Sequence, residues 1–183
     1  MTLILPQKKA PYPSSIPKFD FPVLTEEDYE RYKNDQFVVF SFARGGLPVV
    51  ITVHSDRLHI YDDTGELKYN AFAEDLYSKS IGAYEVVFRK HLAGHVFYGW
   101  VYPNPPRQPI ELFHVWNFDK KVWLDTKQTA YLSKSNRPMF SNIGLPNIAI
   151  YGTLEGVKQK INVENDWVFV KSINDPGLFF VMG

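Results

Sequence analysis

Short runs of β-branched and aromatic residues, separated by turns that contain Gly or Pro, recur along most of this chain and constrain its fold more than any other feature. The stretch "FVVFSFARGGLPVVI" shows the pattern, because two apolar runs flank a small Gly-Gly turn. Comparable runs are "GHVFYGWVYP", "IELFHVWNF" and "DWVFVKS". Since β-branched and aromatic side chains suit a pleated sheet and Gly or Pro ends a strand, each run predicts a β-strand. The segment "AYEVVFRKH" is predicted as a strand for the same reason.

Four segments between these runs predict short helices. "TEEDYERYKND" begins at Thr25, which can cap the helix, and has acidic residues in its first turn. "AFAEDLYSKS" is a second helix, "DTKQTAYLSKS" begins with Asp125 as its cap, and "GTLEGVKQKIN" starts at Thr153. Residues 1–24 are Pro-rich and predict an irregular arm packed on a single domain that comprises residues 1–183. The predicted class is α+β, with mostly antiparallel sheets and short helices.

Composition excludes several classes of function. Lys and Arg together number 20, as do Asp and Glu, so no global positive field attracts the chain to nucleic acid, although a local patch remains open. The chain has no cysteine, which excludes disulfides, cysteine-ligated zinc and thiol catalysis. The N-terminal apolar run is shorter than a signal peptide or a membrane span. We therefore expect a soluble intracellular protein with no membrane partner.

Aromatic residues make up 16% of the chain, which supports either a β-rich core or a platform on which bases or sugars stack. Residue chemistry alone predicts no catalytic, metal or cofactor site. His91 and His95 have helical spacing, but they lie in "RKHLAGH", which predicts a turn with solvated histidines. No phosphate-binding loop, dinucleotide fingerprint or nucleophile elbow is found in the sequence.

The order of several motifs along residues 11–172 is more specific than any one of them. "PYPSSIPKFD" precedes "VVFSFARGGLPVVI", and "GHVFYGWVY", "ELFHVWNFDKKVWLD", "GLPNIAIYGTLEG" and "DWVFVKS" follow. This order resembles the adenylating domain of RNA ligases, in which a Pro-containing arm precedes a strand ending in Lys-x-Asp-Gly. The resemblance implies a ligase nucleotidyltransferase-like fold. In that family a lysine attacks the α-phosphate of ATP and becomes a lysyl-adenylate.

Several positions that carry this chemistry in the family hold other residue types here. The resemblance places Phe42 at the nucleophilic lysine, Arg44 at the aspartate of the same motif and Trp100 at a glutamate. Lys171 matches the basic end of the last shared strand. Because phenylalanine cannot form a phosphoramidate, the resemblance predicts that the chain is not an enzyme and needs no cofactor. The alternative nucleophile is Lys79, although "KSIG" also fits a helix that ends at Gly82.

RNA or another single-stranded nucleic acid is the predicted partner, because aromatic rings stack on bases and cations contact phosphates. The predicted contact residues are Phe42, Arg44, Arg89, Lys90, Trp100, Arg107, Lys120, Lys121 and Lys171. For the tryptophans, core packing is the alternative, above all for Trp116 and Trp167. For the whole chain, the alternatives are a module that binds other proteins or itself, and an adenylyltransferase that uses Lys79. Ligases of this type are common in bacteriophages, so the resemblance also implies a viral origin and a location in the host cytoplasm.

Overall fold

The strands form two antiparallel sheets, each covered by helices on its outer face. The computed structural model describes residues 11–43, 45–68, 84–102, 110–144, 150–160 and 166–182. The described helices are α1 Glu26–Tyr32, α2 Glu85–His91, α3 Thr126–Ser135, α4 Arg137–Ile143 and α5 Leu154–Lys160. The described strands are β1 Gln36–Ala43, β2 Leu47–Val53, β3 Leu58–Tyr61, β4 His95–Val101, β5 Ile110–Asn117, β6 Val122–Trp123, β7 Ile150–Thr153, β8 Asp166–Ser172 and β9 Phe179–Met182. The predicted α+β class with mostly antiparallel sheets is confirmed.

The first sheet has four strands in the order β7–β1–β8–β9. Side chains alternate along β1, as expected for a strand buried on both faces. Phe37 and Val39 point to an outer core that includes Leu154 and Val157 of α5. The residue between them, Val38, points to the other face and toward the second sheet. The four-stranded sheet is therefore packed on both sides.

The second sheet has five strands in the order β3–β2–β4–β5–β6. Its outer face packs on Phe88 and Leu92 at the end of α2 and on Phe140 of α4. The β4–β5 pairing shifts register at Gly99, where an added Cβ would lie 2.0 Å from the backbone oxygen of Glu111. Only glycine fits this close approach between two strands.

Residues 11–24, the described part of the arm, close the space between the two sheets. Ile16 is buried there, and Phe21 packs among rings from both sheets. The hydroxyl groups of Tyr12 and Tyr98 both donate to the backbone oxygen of Pro17, at 2.6 and 2.5 Å. We call this ring-rich layer the inter-sheet core. Its described members from the two sheets include Phe40, Tyr98, Trp100, Phe113 and Phe169.

Local structure differs from the sequence prediction in three places. Residues 85–91 form helix α2 and not the predicted strand, because Phe88 and Leu92, four residues apart, are both buried against the five-stranded sheet. Helix α4 and the two-residue strand β6 were not predicted. The predicted helix at 71–80 lies outside the described residues. Among the described helices, none is long and apolar enough to cross a membrane.

Candidate nucleic-acid interface

Trp100 lies in the inter-sheet core and not on the surface. It is 5% exposed, and its ring stacks on Phe113 with a centroid distance of 4.7 Å and an interplanar angle of 18°. The turn between β1 and β2 also covers it, since a Cβ on Gly46 would lie 2.6 Å from the Cβ of Trp100. Protein atoms cover the indole ring of Trp100, so this ring does not offer a stacking surface to a base. Gly46 of "FARGGLP" is thus required by close packing, whereas Gly45 has a positive φ of 94° and nothing within 4 Å of an added Cβ.

Lys171 is also buried, with 2% of its surface exposed, and it lies next to the buried His114. The lysine Nζ lies 3.3 Å from the Nδ1 of His114 and donates to the backbone oxygen of Leu124. Burial lowers the pKa of Lys171 to about 7, a shift that the carboxylate of Asp125 partly opposes. Near neutral pH a large part of this amine is uncharged, so Lys171 is not a surface contact for phosphate.

His114 has an equally buried environment. Its ring stacks on Trp123 at 3.9 Å with an interplanar angle of 8°. Burial, followed by the charge of Lys171, holds the pKa of His114 well below its usual value, so the ring is neutral. The Nδ1 of His114 lies within hydrogen-bonding distance of the Lys171 amine, whereas its Nε2 has no hydrogen-bond partner among the described residues.

Four of the predicted cations lie at one end of the five-stranded sheet. Arg89 and Lys90 are in the last turn of α2, and Lys120 and Lys121 are in the turn between β5 and β6. The loop after α2 is hydrogen-bonded to that turn, because the backbone N–H of Phe118 donates to the oxygen of Gly94 at 2.8 Å. We call the four cations the basic end. None of them takes part in the ion pairs found within the described ranges.

The turn that carries Lys120 and Lys121 is held in one conformation. The side-chain oxygen of Asn117 accepts from the backbone N–H of Lys120 at 2.9 Å. The backbone oxygen of Asn117 accepts from the backbone N–H of Lys121, also at 2.9 Å. Lys121 has a positive φ of 55°, which is uncommon for a residue other than glycine. This fixed turn presents two exposed ammonium groups to solvent.

The side chains of the remaining predicted contacts lie outside the described part of the chain. The backbone of Phe42 lies in β1 opposite Trp167, but the side chains of both lie outside the described part. Arg44, Arg107 and the alternative nucleophile Lys79 also lie outside the described residues. Trp116 is described, and it packs partly buried against Trp123 with ring centroids 5.1 Å apart.

A concave region next to the basic end was missed by the sequence analysis. It has a volume of about 420 Å³ and lies between α3 and the paired ends of β4 and β5. We call it the α3 pocket. Its lining includes His95 and Asn117 from the strands and Lys127, Gln128, Tyr131 and Leu132 from α3. The four helix residues are at i, i+1, i+4 and i+5, a spacing that places them along one side of a helix.

Acidic and histidine side chains do not converge in the described part of the chain. Among those residues, no group of three or more His, Asp or Glu side chains is placed to hold a metal ion. The described part of the inter-sheet core consists mainly of rings and aliphatic side chains.

The fold is that of RNA ligases. No family model matches the sequence, and no curated protein matches it. A Naegleria gruberi RNA ligase with PPi matches at a TM-score of 0.69 and 16% identity, over 100% of this chain and 58% of that one. A lysine-to-methionine mutant of that ligase with AMP and Mn matches at a TM-score of 0.68 and 14% identity, over 94% of this chain and 57% of that one. This chain therefore has the nucleotidyltransferase-like fold of RNA ligases and spans a little over half the length of these structures.

The prediction that this chain is not an enzyme is wrong. The Naegleria gruberi structures that share its fold are those of an RNA ligase, which is an enzyme, and no described residue shows that catalysis is lost. The prediction rested on placing Phe42 at the position of the nucleophile. A substitution inferred from motif order at 14–16% identity does not establish what the folded site contains.

Proposed function

We propose that this chain binds RNA through the basic end, on its RNA-ligase-like scaffold. The observation that carries the proposal is that the segments bearing Arg89, Lys90, Lys120 and Lys121 lie at one end of the five-stranded sheet, in a fold shared with RNA ligases. Trp100 and Lys171 are left out of the proposed interface because both are buried. Phe42, Arg44 and Arg107 remain proposed contacts.

The charge of the basic end is available to a ligand. These cations have no carboxylate partner among the described residues, so a phosphate contact would not have to break an ion pair. Since the net charge is zero, binding depends on this local cluster and not on a field from the whole molecule.

The proposal is tested by fluorescence anisotropy with a labelled single-stranded RNA. The double variant Lys120→Gln with Lys121→Gln keeps the side-chain length and removes two charges. We expect it to weaken binding to RNAs of different sequence by a similar factor, because phosphate contacts carry no sequence information. The control is Lys158→Gln, on α5 at the outer face of the other sheet. Equal affinities for the double variant and the wild type would contradict the proposal.

A second candidate function is nucleotidyl transfer, which the shared fold favours. In this reaction a lysine amine attacks the α-phosphorus of ATP, a P–N bond forms, and pyrophosphate leaves. Incubation with α-labelled ATP followed by denaturing electrophoresis detects the product, and mass spectrometry locates the modified lysine. A labelled band that survives denaturation supports this candidate, and its absence with ATP and with GTP argues against it.

Binding to other proteins, or self-association, is the outcome to be examined if RNA is not retained. Light scattering that shows a mass above that of one chain, together with no RNA binding at low salt, would support it. The viral origin and the intracellular location stay predictions.

A further inference from the structure

The α3 pocket has the size and the walls of a small-molecule site, and the proposed RNA contacts do not use it. Its volume of about 420 Å³ lies within the range of about 300–1,000 Å³ that is common for ligand pockets. Its apolar lining includes Leu124, which is buried, and Leu132, which is half-buried. Tyr131 is 73% exposed, so most of its ring surface is not covered by protein. The pocket therefore offers an aromatic surface beside an apolar wall.

The polar side chains of the pocket offer mainly hydrogen-bond donors. The side-chain oxygen of Asn117 already accepts from the backbone N–H of Lys120, and that of Gln128 accepts from the N–H of Asp125, each at 2.9 Å. Each amide still offers a ligand its whole NH₂ group, whereas its oxygen keeps one further acceptor site. Lys127 adds an ammonium group and has no ion-pair partner among the described residues.

Negative charge is scarce in this pocket. None of the described lining residues is acidic. Two carboxylates lie next to the lining residues: the Oδ1 of Asp125 accepts from the backbone N–H of Gln128 at 2.7 Å and so caps α3, and the Oδ2 of Asp119 lies 3.6 Å from where a Cβ on Gly94 would be. A site with two amide donors, one ammonium group and no lining carboxylate favours a ligand that is anionic and rich in acceptors.

His95 supplies the complementary group. Its Nδ1 lies 3.2 Å from the backbone oxygen of Leu92, and since a carbonyl oxygen only accepts, Nδ1 must carry the proton. In the neutral ring Nε2 then has a lone pair that can accept from a hydroxyl group. The pocket thus combines donors for an anion, an acceptor for a hydroxyl and a ring for stacking.

We propose that the α3 pocket binds one nucleotide, with its base against Tyr131 and its phosphate at Lys127. A nucleotide matches every group of the pocket, because it carries an anionic phosphate, ribose hydroxyls and a flat base with acceptors on its edge. Stacking of bases on aromatic side chains tolerates any base, so no base preference is expected from the ring. The nucleotide is either a free nucleotide or the end of an RNA strand. Only the second alternative rests on the proposed RNA-binding function.

Isothermal titration calorimetry of the full chain with AMP, adenosine and inorganic phosphate tests the proposal. AMP should bind, adenosine should bind at least about tenfold more weakly, and inorganic phosphate should bind more weakly than AMP. Phosphate binding as tight as AMP binding would overturn the stacking part of the proposal. No binding of AMP would overturn it entirely.

Variants on α3 separate the two contacts. Tyr131→Ala should lower AMP affinity about tenfold, whereas Tyr131→Phe, which keeps the ring, should bind like the wild type. Lys127→Gln should weaken AMP binding and leave adenosine binding unchanged. Lys134→Gln, an exposed lysine of the same helix outside the pocket lining, is the control. AMP affinities that are equal in Tyr131→Ala and the wild type would contradict the assignment.

A 5′-phosphorylated trinucleotide in the same titration identifies the source. Tighter binding than AMP, with the same response to the α3 variants, assigns the site to an RNA end, and equal binding assigns it to a free nucleotide. Failure here is distinguishable from failure of the RNA proposal, since AMP titrations do not depend on Lys120 and Lys121. RNA binding that persists without AMP binding would overturn the pocket alone.

Discussion

At the scale of single residues, burial determines both the pKa and the contacts of a charged group. Lys171 matched the basic end of a ligase strand in the sequence, yet its amine lies between the sheets and donates to the oxygen of Leu124. Its pKa is about 7 in the folded chain and 10.5 in the unfolded reference. Between these values the unfolded chain binds more protons than the folded chain, so stability rises with pH across this window.

We therefore expect the free energy of unfolding to increase from pH 7 toward pH 9.5, below the range in which tyrosines titrate. Above pH 10 the trend should reverse, because burial raises the pKa of Tyr12 to about 12 and the unfolded chain loses that proton first. Lys171→Met should flatten the rise between pH 7 and 9.5, measured by urea unfolding at each pH. The exposed-lysine variant Lys134→Met is the control, and an unchanged slope in Lys171→Met would contradict the assignment.

At the scale of elements, capping residues were readable from the sequence and tertiary packing was not. Thr25 and Asp125 were predicted as caps, and both accept the backbone N–H three residues later in the structure. The strand predicted at 83–91 was wrong because Val86 and Val87 suggested β-structure. In the folded chain Val86 is 65% exposed on α2, so its β-branched side chain has no sheet neighbour.

The helical assignment of α2 predicts opposite effects at two neighbouring positions. Val86→Ala should raise the free energy of unfolding by roughly 0.5 kcal/mol, because alanine has the higher helix propensity and little packing is lost. Phe88→Ala should lower it by about 3–5 kcal/mol, because Phe88 is fully buried. Thermal and urea unfolding measure both changes. A destabilising Val86→Ala would instead fit a buried strand.

At the scale of the whole molecule, two features predicted from the sequence are found in the structure. These are the α+β class and the ligase-like order of strands. The sequence analysis did not predict that Trp100 would be covered by Phe113 and the turn at Gly46. The register of a strand decides which face of the sheet a side chain occupies, and the sequence does not show that register. It also missed the α3 pocket. Lys127 and Tyr131 come together with His95 and Asn117 only through tertiary packing.

The arm is expected to be part of the folded core. Phe21 contacts the rings of Tyr98, Phe113 and Phe169 at centroid distances of 5.8, 5.1 and 5.8 Å. Phe21→Ala should therefore lower the free energy of unfolding, by less than the roughly 3–5 kcal/mol of a fully buried phenylalanine because Phe21 is partly buried, measured by urea unfolding. Val23→Ala is the matched control, since Val23 is 68% exposed. Similar stabilities for Phe21→Ala and the wild type would contradict this role of the arm.

The salt dependence of RNA binding tests the central claim most directly. Anisotropy titrations of single-stranded RNA between about 50 and 200 mM salt should show that log K falls linearly with log salt for the wild type. For the double variant Lys120→Gln with Lys121→Gln, the magnitude of this slope should be smaller by about one or more. Fewer phosphate contacts form in this variant, so fewer counterions are released when RNA binds. A wild-type affinity that does not change with salt, or identical slopes for both proteins, would contradict RNA binding at the basic end.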